Sequence, residues 1–125
     1  MIVNAPGPHA ELTAAFEGYE AALMANDIEK LDGFFWRSAF TVRYGQGENL
    51  YGYEAIAAFR RARPGGAPPR TLTRTEIVTF GDDFGFAHTE YRRANSEAVG
   101  RQSQTWARFP EGWRVVAAHV SLMTP

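Results

Sequence analysis

The sequence contains no cysteine. Disulfide bonds, thiolate metal ligands and a cysteine nucleophile are thereby excluded. It also lacks an excess of positive charge: 13 Lys and Arg stand against 14 Asp and Glu, for a formal net charge of −1. Nothing in that balance would neutralise a phosphate backbone, so nucleic-acid binding is not expected. No apolar run approaches the ~20 residues of a membrane-spanning helix, and the segment from Met1 to Pro8 has no basic stretch followed by an apolar one. Neither a membrane span nor a secretory signal is expected, and the chain reads as cytoplasmic. The three histidines, His9, His88 and His119, show no ligand spacing with a carboxylate, which argues against a metal site. There is no Gly-x-Ser-x-Gly elbow, and Gly45-Gln46-Gly47 is too little to make a phosphate loop. No cofactor is expected.

What remains is a chain of 125 residues, enough for a single domain around one core over 1–125. Aromatic residues make up 14% of it, so either the core is strongly aromatic or some rings line a cavity. Leu12, Ala15, Phe16, Tyr19, Ala22 and Leu23 recur at helical spacing. Proline is tolerated in a helix's first turn, which places the start near Pro8. Asn26-Asp27 breaks the pattern, and Asp27 can cap a second helix with Ile28, Leu31, Phe34 and Phe35 on its apolar side. A short strand is expected over 40–44 and a loop over 45–51. A third helix then carries Tyr53, Ile56 and Phe59 and ends on Arg60, Arg61 and Arg63. Pro64 to Pro69 reads as loop. Four strands follow near 71–80, 84–93, 100–109 and 113–122, joined by turns at Gly81-Asp82-Asp83 and Pro110-Glu111-Gly112. The expectation is an α+β domain, its helices gathered at the front and packed on one face of an antiparallel sheet.

Two strands say more than their class. The last, Trp113 to Leu122, is apolar on both faces over most of its length. An antiparallel strand with one wet face would alternate, so its outer face should be covered, and a second copy of the chain is the available cover. A homodimer through the sheet is expected. In the strand before it, Gln102 and Gln104 alternate with Arg101 and Ser103. Amides on a core face need partners, so either a polar ligand or water lies against them, or they bond to helix ends and to each other.

Tyr19 shares the apolar stripe of the first helix; it is either a core ring or a phenol aimed into a cavity, able to donate a proton or stabilise charge. Arg43, within the first strand, needs an anionic partner, which is either internal (Glu48 or Glu90) or a ligand carboxylate suited to its planar fork. Arg60-Arg61-Arg63 and Arg92-Arg93 read as cations favoured at a helix C-terminus and as an exposed strand end. His9 reads as solvated, and His88 as part of an exposed charged row with Glu90 and Arg92. The pairing of the last hairpin puts His119 opposite in face to Gln102 and Gln104, toward the expected dimer side.

Five segments together resemble one family: Phe16-Glu17-Gly18-Tyr19-Glu20-Ala21-Ala22-Leu23, Thr41-Val42-Arg43-Tyr44-Gly45, Gly47-Glu48-Asn49-Leu50-Tyr51-Gly52, Gly100-Arg101-Gln102-Ser103-Gln104-Thr105-Trp106, and Gly112 through Ser121. The chain is similar to the oxalurate-catabolism family of the SnoaL-like, nuclear-transport-factor-2-like superfamily, whose cyanuric-acid relative accompanies an amidase. The resemblance runs from about Ile2 to Met123. It implies a cone-shaped, cystatin-like roll, a curved antiparallel sheet wrapped around three helices with a pocket at the wide end and a dimer through the outer sheet face. It implies a small cofactor-free hydrolase of N-carboxylated ureas or ureido acids, with a possible amidase partner. Tyr19 and Arg43 match the positions held to be needed for activity. Gln102, Gln104 and Asn49 would orient the ureido group, with Trp36 and His119 completing the expected substrate-binding set. Two other readings stand beside it: a non-catalytic binding protein accessory to an amidase, and an isomerase-like enzyme, which would need a carboxylate base in the pocket.

Overall fold

The computed structural model describes residues 1–125. Helix α1, Pro6–Met24, begins on a proline whose fixed φ suits the first turn. Its buried side chains Leu12, Phe16, Tyr19, Ala22 and Leu23 share one stripe. Asn26 then takes a positive φ of 52°, a conformation that asparagine adopts more readily than most residues. Asp27 caps α2, Ile28–Phe34, by accepting from the Lys30 backbone N–H at 3.2 Å. The chain next runs beside the last strand, bridging Phe35 to Val115 in parallel, and enters β1, Val42–Tyr44. A turn at Gly45 returns it as β2, Asn49–Tyr51, and Gly52 at φ 90° starts α3, Tyr53–Ala62. The remaining chain forms β3 (Arg70–Phe80), β4 (Phe84–Arg93), β5 (Val99–Phe109) and β6 (Gly112–Met123).

The six strands make one sheet in the order β2-β1-β6-β5-β4-β3. Two features correct the sequence reading. The stretch expected as a loop over 45–51 contains β2, an edge strand of three residues, Asn49-Leu50-Tyr51, of which only Leu50 turns inward. So short a segment has no alternation to read. The pairing of β1 with β6 is parallel, Val42 opposite Ala117 and Tyr44 opposite His119, while the other four pairings are antiparallel. The direction follows from Phe35: the chain is already running alongside β6 when it reaches the sheet.

The helices pack on one face of the sheet, and the core lies between them. Leu12, Phe16, Leu31, Phe35 and Ile56 from the helical layer meet Ala87, Trp106, Trp113 and Val115 from the strands. Tyr19 stands edge-on to both Phe34 and Trp106, with ring centroids 6.1 and 6.4 Å away, the geometry that aromatic quadrupoles favour.

A bulge resolves why β6 looks apolar on both sides. Thr105 faces Ala117 and the next residue, Trp106, faces Val115, leaving Val116 unpaired. Trp113 and Val115 before the bulge, and Ala118 and Val120 after it, therefore all point to the core. Ser103 pairs with His119, and His119 is exposed on the outer face. No helix is long and apolar enough to cross a membrane.

Candidate functional site

A cavity of about 50 Å³ opens between the C-terminal half of α1, the end of α3 and the inner face of β1 and β3–β6. Each wall is set by a local pattern already described. The α1 stripe brings Tyr19, one helical turn before Leu23. In β1, Arg43 points inward while Tyr44 points out. The end of α3 contributes Phe59, Arg60 and Arg63. In β4 the buried positions Ala87, Thr89 and Tyr91 alternate with exposed His88, Glu90 and Arg92, and Arg93 continues the inward series. Arg70 opens β3, and Gln102 lies on the inner face of β5.

Five guanidinium groups line this space and no carboxylate does. Three are held from behind. Arg43 Nη1 donates to Glu48 Oε1 at 3.1 Å. Arg60 pairs with Asp32. Arg70 grips Glu20 with two bonds, Nη2 to Oε1 at 2.6 Å and Nε to Oε2 at 3.0 Å. Arg63 and Arg93 have no ion pair; their Nε atoms are buried without a hydrogen-bond partner. Aromatic faces lie against both, and the charge of Glu48 acts on Arg63 without pairing with it. Phe59 is flanked by Arg43 and Arg63, at 5.5 and 5.9 Å, and Tyr91 by Arg70 and Arg93, at 4.5 and 5.5 Å. A cation over a ring gains ~0.5–2 kcal/mol, which offsets part of the cost of half-burying each charge.

Electrostatics follow the same division. Burial, followed by the nearby Arg43 charge, pushes the Arg63 guanidinium below the ordinary arginine value. Burial acts on Arg70 in the same direction, but the bonds and charge of Glu20 outweigh it and hold Arg70 above that value. Both remain cations at neutral pH. Arg70 also fixes Gln102: its Nη1 and Nη2 donate to Gln102 Oε1 at 3.5 and 3.4 Å. A guanidinium has only donors, so the amide oxygen must face it, and Gln102 Nε2 is left buried without a partner.

Of the residues expected from sequence, the structure brings Tyr19, Arg43 and Gln102 together. Of the two internal partners considered for Arg43, Glu48 is the one it has; Glu90 is exposed on the outer face. Four expected binding residues do not line the cavity. Gln104 lies in the core, accepting from Trp106 Nε1 at 3.1 Å. Asn49 is exposed on the sheet edge opposite Tyr44. Trp36 stacks on Phe109 at 5.5 Å, at the hairpin end of the sheet. His119 lies on the outer face beside the Tyr44 ring, 5.6 Å away.

Sequence reasoning missed Arg63, Arg70, Tyr91 and Arg93. The signal for Arg93 was present, since it continues the alternation of buried Thr89 and Tyr91; Arg63 and Arg70 depend on how α3 and β3 approach across the proline-rich loop. A larger open hollow of about 630 Å³ lies between α1 and α2, floored by Gly18, Ala21, Ala25 and Phe34; it gathers no unpartnered polar group and offers no chemistry. No group of His, Asp and Glu is arranged to hold a metal ion.

The whole chain, residues 1–125, matches the model of the AtzH-like family. A protein of unknown function from Pectobacterium atrosepticum SCRI1043 is 55% identical, with a TM-score of 0.95 over 98% of this chain and 95% of that one. A cystatin-like fold protein from Burkholderia xenovorans LB400 is 47% identical, with a TM-score of 0.95 over 100% and 98%. A nuclear-transport-factor-2-like protein from Pseudomonas putida KT2440 shares the fold at 17% identity, with a TM-score of 0.78 over 94% and 87%. No curated protein matches. The chain belongs to the AtzH-like family and has the cystatin-like, nuclear-transport-factor-2-like fold.

Proposed function

We propose that the protein is a small hydrolase of N-carboxylated ureas or ureido acids, working in the breakdown of nitrogen compounds, and that the arginine-lined cavity is its site. One observation carries the reading: Arg63 and Arg93 are half-buried cations lining a small cavity, and neither is ion-paired with a carboxylate. An anionic ligand would complete the missing pairs. The volume of about 50 Å³ suits a molecule of few non-hydrogen atoms.

Arg43 would clamp the carboxylate while Tyr19, within electrostatic reach of both Arg63 and Arg70, faces the reacting group. Loss of carbon dioxide from a carbamate breaks the nitrogen–carbon bond and requires a proton at nitrogen, which the Tyr19 hydroxyl would donate and regain from water. Hydrolysis would instead place negative charge on the carbonyl oxygen, where guanidinium and phenol donors stabilise it. A second reading has its own observation. Neither a carboxylate nor an imidazole lines the cavity, so an orthodox general base is missing, and a non-catalytic binding protein accessory to an amidase would use the same cations. That absence also weighs against isomerase chemistry through a carboxylate base.

The test is incubation with freshly generated carboxylated urea, following ammonia and carbon dioxide release by wild type, Tyr19→Phe and Arg43→Ala. Turnover lost in both variants supports the hydrolase. Turnover untouched by either change overturns this assignment, and saturable binding without turnover supports the accessory role.

A further inference from the structure

We propose that Tyr91 is a second functional tyrosine of the cavity, the group that accepts an N–H from the bound ligand and so selects amide-bearing anions over those lacking N–H. The proposal rests on the anion-site reading above and adds a specificity residue to it. Tyr91 is 1% exposed, lines the cavity, and its hydroxyl is buried without a hydrogen-bond partner. Buried phenols ordinarily find partners, so an orphaned one beside an open space marks a vacant contact.

The balance of donors and acceptors says what that contact is. Arginine only donates, so the five guanidiniums offer a ligand nothing for its own N–H groups. The oxygen of Gln102 already accepts twice from Arg70, and its free amide nitrogen is one more donor. The phenol oxygens of Tyr19 and Tyr91 are the side-chain acceptors left in the lining. A ureido ligand carries both carbonyl oxygens and N–H groups. The arginines and Gln102 satisfy the first, and Tyr91 satisfies the second.

The backbone is arranged to permit this. Tyr91 faces Gly100 across the β4–β5 ladder, and a β-carbon on Gly100 would run into the Tyr91 ring. With glycine opposite, the ring lies over the neighbouring strand and packs against both Arg70 and Arg93. Its position is thereby fixed before any ligand arrives, which spares the ordering cost on binding.

Oxamate and pyruvate test the proposal by calorimetric titration. They are alike in size and charge, but oxamate carries an amide NH₂ where pyruvate carries a methyl group. Wild type is expected to bind oxamate more tightly. Tyr91→Phe, which keeps the ring, should weaken oxamate by roughly three- to tenfold, the range of a single net hydrogen bond, and leave pyruvate unchanged. The melting temperature of ligand-free Tyr91→Phe should be unchanged or higher, because the hydroxyl it removes has no partner. Equal loss toward both anions, no loss toward oxamate, a wild-type ratio of one, or a lowered melting temperature would each overturn the proposal. Wild type that binds neither anion, or binding indifferent to Arg43→Ala and Arg63→Met, would remove the anion-site reading and this proposal with it. An unchanged ratio with intact anion binding removes Tyr91 alone.

Discussion

At the scale of single residues, the site is organised by which cations have partners. Arg63 is a half-buried cation with a desolvation cost and no ion-paired carboxylate. Replacing such a charge by an apolar side chain of similar reach is often neutral or stabilising. Arg63→Met is therefore expected to raise the melting temperature of the ligand-free protein by roughly 4 °C, corresponding to about 1 kcal/mol in a domain of this size, and to abolish the thermal shift produced by oxamate. A lower melting temperature with the oxamate shift retained would show that Arg63 is structural. Arg43 differs because Glu48 already occupies one edge of its fork at 3.1 Å. An incoming carboxylate competes with that partner. Glu48→Gln should tighten oxamate binding several-fold at low salt while changing stability by no more than about 1 kcal/mol, since the pair is partly solvated. Weaker binding in a low-salt titration would mean that Glu48 orients Arg43 rather than masks it.

At the scale of elements, legibility followed periodicity. The stripe of α1 announced Tyr19, and the alternation of β5 put Gln102 on the core side; both conclusions needed only a repeat several residues long. Arg43 was singled out because a charge inside a short strand demands a partner. The losses came where no repeat exists. β2 is three residues long, and the parallel β1–β6 pairing is decided by Phe35 meeting Val115, a contact between residues 80 positions apart. Arg63 and Arg70 sit at the ends of their elements, where periodicity stops and tertiary approach decides which side a long side chain serves, whereas Arg93 continues the alternation of Thr89 and Tyr91 and was legible from it. Gln104, read as a binding residue, shared the alternation of Gln102 but lies deeper, under the helices, where its acceptor serves Trp106. That packing makes its own prediction. Trp106 is fully buried and touches Tyr19 and Phe34 edge-on. Trp106→Ala should cost ~3–5 kcal/mol of unfolding free energy in urea, with the Gln104 oxygen losing its donor as well. A cost below ~1.5 kcal/mol, the range of well-tolerated core swaps, would mean that the two layers do not pack as described.

At the scale of the whole molecule, the inner face of the sheet is occupied by the core and the cavity, which leaves the outer face as the surface for assembly. Across its centre run His119 of β6, Ser103 of β5 and His88 of β4, with His88 Nδ1 2.9 Å from the Ser103 hydroxyl. On the hairpin side of that row are Thr105, Ala107, Val116, Ala117 and the rings of Phe84 and Phe86; on the other are Arg74, Glu90 and Arg101. The apolar half of this face is what water tolerates least, and the charged half carries both signs, so a second copy turned about a twofold axis can meet it without like-charge conflict. We propose that the protein is a homodimer through this face. Sedimentation velocity should then show twice the mass of one chain, and Thr105→Asp, which buries a carboxylate without a partner at the proposed interface, should yield monomers. Because Thr105 points away from the cavity, oxamate affinity should survive in the monomer. A wild type that sediments as a single chain at micromolar concentration, or a variant that stays dimeric, would place the assembly surface elsewhere. A monomer that loses oxamate would show that the outer face and the arginine cavity are coupled through β5, the strand they share.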